Sequence, residues 1–143
     1  MSTKMDQFYD NLRDGLDTVE GRLKSVRTNM QTLREQGEKA LREKLDGAGR
    51  KLQVQKERVD QTRANLKARA KQKMHDTKET VSEWKAKRET RKLNARADRA
   101  EAYAVDAIDY AAAAIDEAEE AILAAMVARL DADAAQSPAP APR

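Results

Sequence analysis

Residues 12–33 read LRDGLDTVEGRLKSVRTNMQTL, and the apolar positions in that stretch decide the fold. Leu12, Leu16, Val19, Leu23, Val26, Met30 and Leu33 follow one another at alternating steps of four and three. Met5 and Tyr9 lead into the rhythm, and Gly37 and Ala40 trail out of it. Seven residues nearly fill two helical turns, so this repeat draws one narrow apolar seam along an α-helix. A seam that narrow is covered by a second helix, in the same chain or in another copy.

Composition agrees. Of 143 residues, 37% are charged and only 3% aromatic, which excludes a wide globular core. Much of the apolar content is Ala, and a chain rich in Ala, Glu, Lys, Leu and Arg at a short period reads as long helix or coiled coil. Strand formers are sparse and never alternate with polar residues at period two. The absence of cysteine excludes disulfides and thiolate chemistry. Met1–Asp6 has no apolar stretch, so no signal peptide is expected. The most apolar run, 110–115, is bounded by Asp109 and Asp116, far short of the roughly 18 residues that a membrane span needs. A cytoplasmic location is the expectation that remains.

Thr3 with Asp6 makes an approximate capping box for the first helix. Two glycines, Gly47 and Gly49, weaken any helix through them and favour a turn. Against the turn stands a 4,3,4 rhythm through Leu41, Leu45, Ala48 and Leu52, after a one-residue slip in phase between Ala40 and Leu41. Beyond Gly49 neither Gly nor Pro recurs before Pro138. Leu45, Leu52, Val59 and Leu66 keep heptad spacing, but the complementary row holds Gln55 and Thr62. From Lys67 to Lys92 only Ala70, Met74, Val81 and Trp84 form a thin stripe. Asn94 offers a weak cap for another helix. Residues 100–130 are Ala-rich, with Ile108, Ile115 and Ile122 a heptad apart and Ala104, Ala111, Ala118 and Ala125 between them.

The expected fold is all-α, an elongated helical hairpin or an antiparallel three-helix coiled-coil bundle. One domain spans 1–133, with helices at 3–46, 50–93 and 95–133; the last two are continuous if Asn94 does not bend the chain. Residues 134–143 carry Ser137-Pro138-Ala139-Pro140-Ala141-Pro142 and read as a disordered Pro/Ala-rich tail.

Charge is sorted along the chain. Residues 67–100 hold twelve Lys or Arg against five Asp or Glu, a net of +7. Residues 101–133 hold one Arg against nine acids, a net of −8. Two uses compete: the two segments pair with each other, or the basic one meets a polyanion. Self-pairing is favoured, through a fold near Asn94 or an antiparallel dimer centred near Arg99 and Ala100. The first seam also argues against a parallel dimer, because Leu occupies the row where parallel pairs prefer a β-branched residue.

Candidates for chemistry read blandly. His75 is the only histidine and lies in the polar stretch, where a solvated side chain is expected. Asp116, Glu117, Glu119 and Glu120 cluster, but a carboxylate-bridged di-metal bundle wants histidines that this segment lacks. Trp84 stands among Lys85, Lys87, Arg88, Arg91 and Lys92. These six are the candidate polyanion-binding residues, through stacking or interfacial anchoring. A seam position for Trp84 is the favoured alternative. No nucleophile triad, phosphate loop or zinc motif is present, and no catalytic residue, metal ligand, cofactor or small-molecule substrate is expected.

In composition, though in no motif or single residue, the blend of amphipathic helix, Ala-rich helix and Ala-Pro tail resembles the phasins, surface proteins of polyhydroxyalkanoate granules. That resemblance implies a lipid-coated granule as a partner. The residues themselves point to a non-catalytic coiled-coil scaffold or adaptor that forms a homo-oligomer or binds a helical partner. Its seam is Leu12, Leu16, Val19, Leu23, Val26, Met30 and Leu33 with Ile108, Ile115 and Ile122. The alternative is a peripheral binder of an anionic membrane, granule surface or nucleic acid through 67–100.

Overall fold

The structure, a computed structural model, describes residues 3–73 and 75–136. Among them are four helices: α1 (Thr3–Gln36), α2 (Glu38–Lys73), α3 (Lys78–Ala86) and α4 (Thr90–Gln136). At 1.5 Å per residue, α4 alone is about 70 Å long. It is the spine on which the other three pack.

Contacts along α4 give the directions. Phe8 lines a groove with Val105, Gly15 abuts Ile108, and Leu33 joins Leu123 in the core, so α1 and α4 run parallel. Arg42 bonds Asp131, Lys51 bonds Asp116 and Arg69 bonds Asp106, so α2 runs antiparallel to both. The long helices form an up–down–up bundle in which α4 packs more with α2 than with α1. The core proper is small and sits at one end: Leu33, Leu41, Leu123 and Val127, flanked by Ala40, Leu45, Ala48 and Met126.

The turns correct the boundaries expected from sequence. The chain reverses at Gly37, at φ +96°, a left-handed conformation that a Cβ disfavours. It does not turn at Gly47–Gly49, which lie inside α2. The physical reason is the inward face. Leu41, Leu45, Ala48, Leu52, Gln55, Val59, Thr62 and Leu66 are all buried or half-buried, one continuous 4,3 row. Burying that row outweighs the roughly 2 kcal/mol that two helical glycines cost. Nor does the chain bend at Asn94, which lies within α4. The second reversal comes earlier, around α3.

That helix is well capped. The Thr77 hydroxyl accepts from the Thr80 amide at 3.1 Å. At its other end the Glu89 amide donates to Trp84 O (2.9 Å) and the Arg88 amide to Lys85 O (3.2 Å), with Arg88 at φ +53°. This is a Schellman end with arginine where glycine is usual. Val81 is buried and Trp84 half-buried, on the side of α3 that meets α4. Ala134–Gln136, expected in the tail, are the last residues of α4. Met74 and the Pro-rich residues 137–143, on which the stripe and tail expectations fall, lie outside the described residues.

Candidate functional site

Two faces of α1 are apolar, and α4 takes only one. Facing α4 are Phe8, Leu12, Gly15, Val19, Arg22, Val26, Asn29 and Leu33, each buried or half-buried and spaced at fours and threes. Leu12, Val19, Val26 and Leu33 belong to the seam expected from sequence. Leu16, Leu23 and Met30, its other row, do not enter the bundle. Gly15 and Arg22 explain why. A Cβ at Gly15 would lie 2.9 Å from Ile108 Cγ2, so only glycine admits α4 this closely. Arg22 reaches inward to the Ala112 carbonyl (3.0 Å) and the Asp116 carboxylate (2.7 Å).

Asp116 is the one buried charge among the described residues, at 7% exposure. It accepts from Arg22 of α1 and, at 3.3 Å, from Lys51 of α2. One carboxylate of α4 thus fixes the level of both neighbouring helices. An isolated buried carboxylate is costly, so any sliding of α1 or α2 that breaks these bonds is opposed. This commits the most buried member of the acidic cluster to packing. No group of three His, Cys, Asp or Glu side chains among the described residues is placed to hold a metal.

The other row of α1 lies open. Tyr9, Leu16, Leu23 and Met30, one heptad apart, are 55%, 56%, 51% and 40% exposed. Scattered exposed leucines are ordinary, but four large apolar groups in register along one helix form a contiguous stripe. At the Gly37 end lies an open groove of about 530 Å³, lined by Leu33, Gly37, Leu41, Ile122, Ala125, Met126 and Leu130 among others. Ala111, Ala118 and Ala125 of α4 are also exposed, while Ile108, Ile115 and Ile122 are half-buried. The isoleucine row expected to drive assembly is therefore partly spent inside the chain.

The basic candidates gather at the opposite end of the bundle. Trp84 and Lys85 are in α3, Lys87 and Arg88 in the following turn, and Arg91 and Lys92 in the first turn of α4. Lys87 pairs with Glu83 (2.7 Å), and that ammonium holds the Glu83 carboxyl below its ordinary pKa. Lys92 pairs with Glu89 and stands 6.0 Å from the Trp84 ring centre. Lys85, Arg88 and Arg91 are exposed and take no ion pair among the described residues. The acidic segment finds its partners elsewhere, in Arg22, Arg42, Lys51 and Arg69. Among the described residues Arg69–Asp106 is the one ion pair that joins the basic segment 67–100 to the acidic segment 101–133, beside the Lys73 ammonium over the Tyr103 ring. Within one chain the two segments therefore do not pair as blocks through a fold near Asn94. His75 is exposed in the turn after α2.

Sequence reasoning missed Gly15, Arg22 and Asp116. Their signal was present: Phe8, Gly15, Arg22 and Asn29 form a heptad row beside Leu12, Val19, Val26 and Leu33. A glycine and an arginine do not announce an interface unless their partners, Ile108 and Asp116, are already in view. No protein-family model, curated protein or solved structure matches the chain. No described helix is long and apolar enough to cross a membrane.

Proposed function

We propose that this protein is a non-catalytic helical scaffold that works by self-association through the exposed row of α1. The observation that carries the reading is the heptad of Tyr9, Leu16, Leu23 and Met30 on a helix whose other seam is already taken by α4. Apolar rows at that spacing are covered by helices. The reading needs no cofactor and no small-molecule substrate. Light scattering coupled to size exclusion tests it. The wild type runs above its chain mass of 16.0 kDa, and Leu16→Glu with Leu23→Glu returns it to 16.0 kDa with unchanged helicity. A wild type that stays at the chain mass at every concentration removes the reading.

A second reading has its own observation. Lys85, Arg88 and Arg91, within seven residues of Trp84 in sequence, are exposed and take no ion pair among the described residues, which suits an anionic surface such as a membrane, a lipid-coated granule or nucleic acid. Trp84 emission, followed on adding anionic vesicles or duplex DNA at low salt, decides it. No change there eliminates this use, since such binding is strongest at low ionic strength.

A further inference from the structure

The exposed stripe alone does not say what covers it; the charges beside it do. Asp6, Arg13, Glu20 and Arg27 repeat at heptad spacing along the edge of the stripe away from α4, and all four are exposed. Their signs alternate. In a parallel pair of α1 helices each residue would sit at the level of its own copy, like against like. In an antiparallel pair the outcome depends on register. With the two-fold axis beside Asp17, Arg13 meets Glu20 of the partner and Asp6 meets the partner's Arg27, so opposite signs meet throughout. Sliding one helix by a heptad in one direction brings Arg13 against Arg27 and Glu20 against Glu20. Sliding it in the other brings Asp6 against Glu20 and Arg13 against Arg13.

The apolar residues accept the same register, but a heptad slip that layers Leu16 on Val26 and Leu23 on Val19 suits them as well, so it is the charges that choose between registers. An axis beside Asp17 layers Leu16 on Val19, Tyr9 on Val26 and Leu23 on Leu12 of the partner, large on β-branched or large on large. Val19, Val26 and Leu12 are only half-buried against α4, so each has surface left to give. The present partners of the charges are weak competitors. Arg13 reaches Asp10 at 3.3 Å and Glu20 reaches Lys24 at 3.8 Å, both on the open surface.

We infer that the occupant of the α1 stripe is α1 of a second copy, antiparallel, in the one register that pairs Arg13 with Glu20 and Asp6 with Arg27. This rests on the self-association reading above and gives it a partner, a direction and an alignment. Flanking charges in such pairs set direction and alignment more than strength.

The test is a charge-swap cycle on the full chain. Arg13→Glu alone sets glutamate against Glu20, and Glu20→Arg alone sets arginine against Arg13. Each is expected to weaken the dimer about tenfold, from two symmetric contacts turned repulsive. Mixing the two single variants creates a heterodimer in which every contact is again opposite in sign. The mixture, and the Arg13→Glu, Glu20→Arg double variant, are expected to associate within about threefold of wild type. Because the chain has no cysteine, single cysteines give clean spin labels. Labels at Asp17→Cys fall close together across the axis, and labels at Gln31→Cys about 40 Å apart, from 1.5 Å per residue. If the protein assembles but both single swaps leave it unaffected, or if the two label distances are equal, the inference falls while the self-association reading stands. If the wild type is monomeric at all concentrations, both fall together.

Discussion

Asp116 is only 6% exposed at its side chain, while its two cations keep a way out to water: Arg22 is 34% and Lys51 54% exposed. That difference makes truncation of the two sides unequal. Arg22→Ala leaves a buried carboxylate with a single partner at 3.3 Å and is expected to cost about 2–3 kcal/mol. Asp116→Ala lets Lys51 turn to solvent and leaves Arg22 on the Ala112 carbonyl, and about 1–2 kcal/mol is expected. Urea unfolding followed at 222 nm gives both values, and equal costs would mean that burial of the carboxylate is not the dominant effect. The glycines separate in the same way. Gly47→Ala and Gly49→Ala meet nothing within 4 Å, so each is expected to stabilise by about 0.5–1 kcal/mol. Gly37→Ala is expected to destabilise by about 1–2 kcal/mol, because the reversal holds φ at +96°. Thermal melts of the three variants place the first turn: a loss at Gly47 or Gly49 with none at Gly37 would put it back where the glycine pair suggested.

At the scale of elements, α1 and α2 show what the sequence carries and what it withholds. The helical period and the absence of strands among the described residues are legible because each follows from spacing within one segment, whereas spacing left the number of long helices open between two and three. The first reversal is legible only in part. Gly37 trails out of one 4,3 row, a second row begins at Leu41, and the phase slip between them marks the place where the chain doubles back. Composition pointed instead to Gly47 and Gly49, since paired glycines weaken an isolated helix. What overrides them is burial of Leu41 and Leu45 against α4, a term that exists only once the partner does. The choice of inward face on α1 was hidden for the same reason. Leu16 and Leu23 are greasier than Gly15 and Arg22, yet the smaller and the charged residue point inward because Ile108 and Asp116 await them. The end of α3 makes a further element-scale prediction. Arg88 at φ +53° tolerates Gly, whereas Arg88→Val is expected to cost about 1 kcal/mol or more, read from thermal unfolding.

Across the whole molecule the sorted charges resolve into two separate tasks. Acids of α4 are met by Arg22, Arg42, Lys51 and Arg69 and hold the bundle together, while Lys85, Arg88 and Arg91 stand apart at the α3–α4 corner. From sequence alone the basic cluster would order assembly, and replacing it would loosen the oligomer. In the folded chain it lies at the end opposite the Gly37 groove and off the α1 stripe, so assembly and anion binding are expected to come apart. Lys85→Gln, Arg88→Gln and Arg91→Gln together should leave the mass by light scattering unchanged and abolish any response of Trp84 to anionic vesicles. Leu16→Glu with Leu23→Glu should do the reverse, because Trp84 packs in α3 and no residue of the stripe is nearby in the chain or the bundle. A basic triple variant that dissociates would return the charges to the assembly interface. It would also place the second copy's contact at the α3–α4 corner rather than along α1.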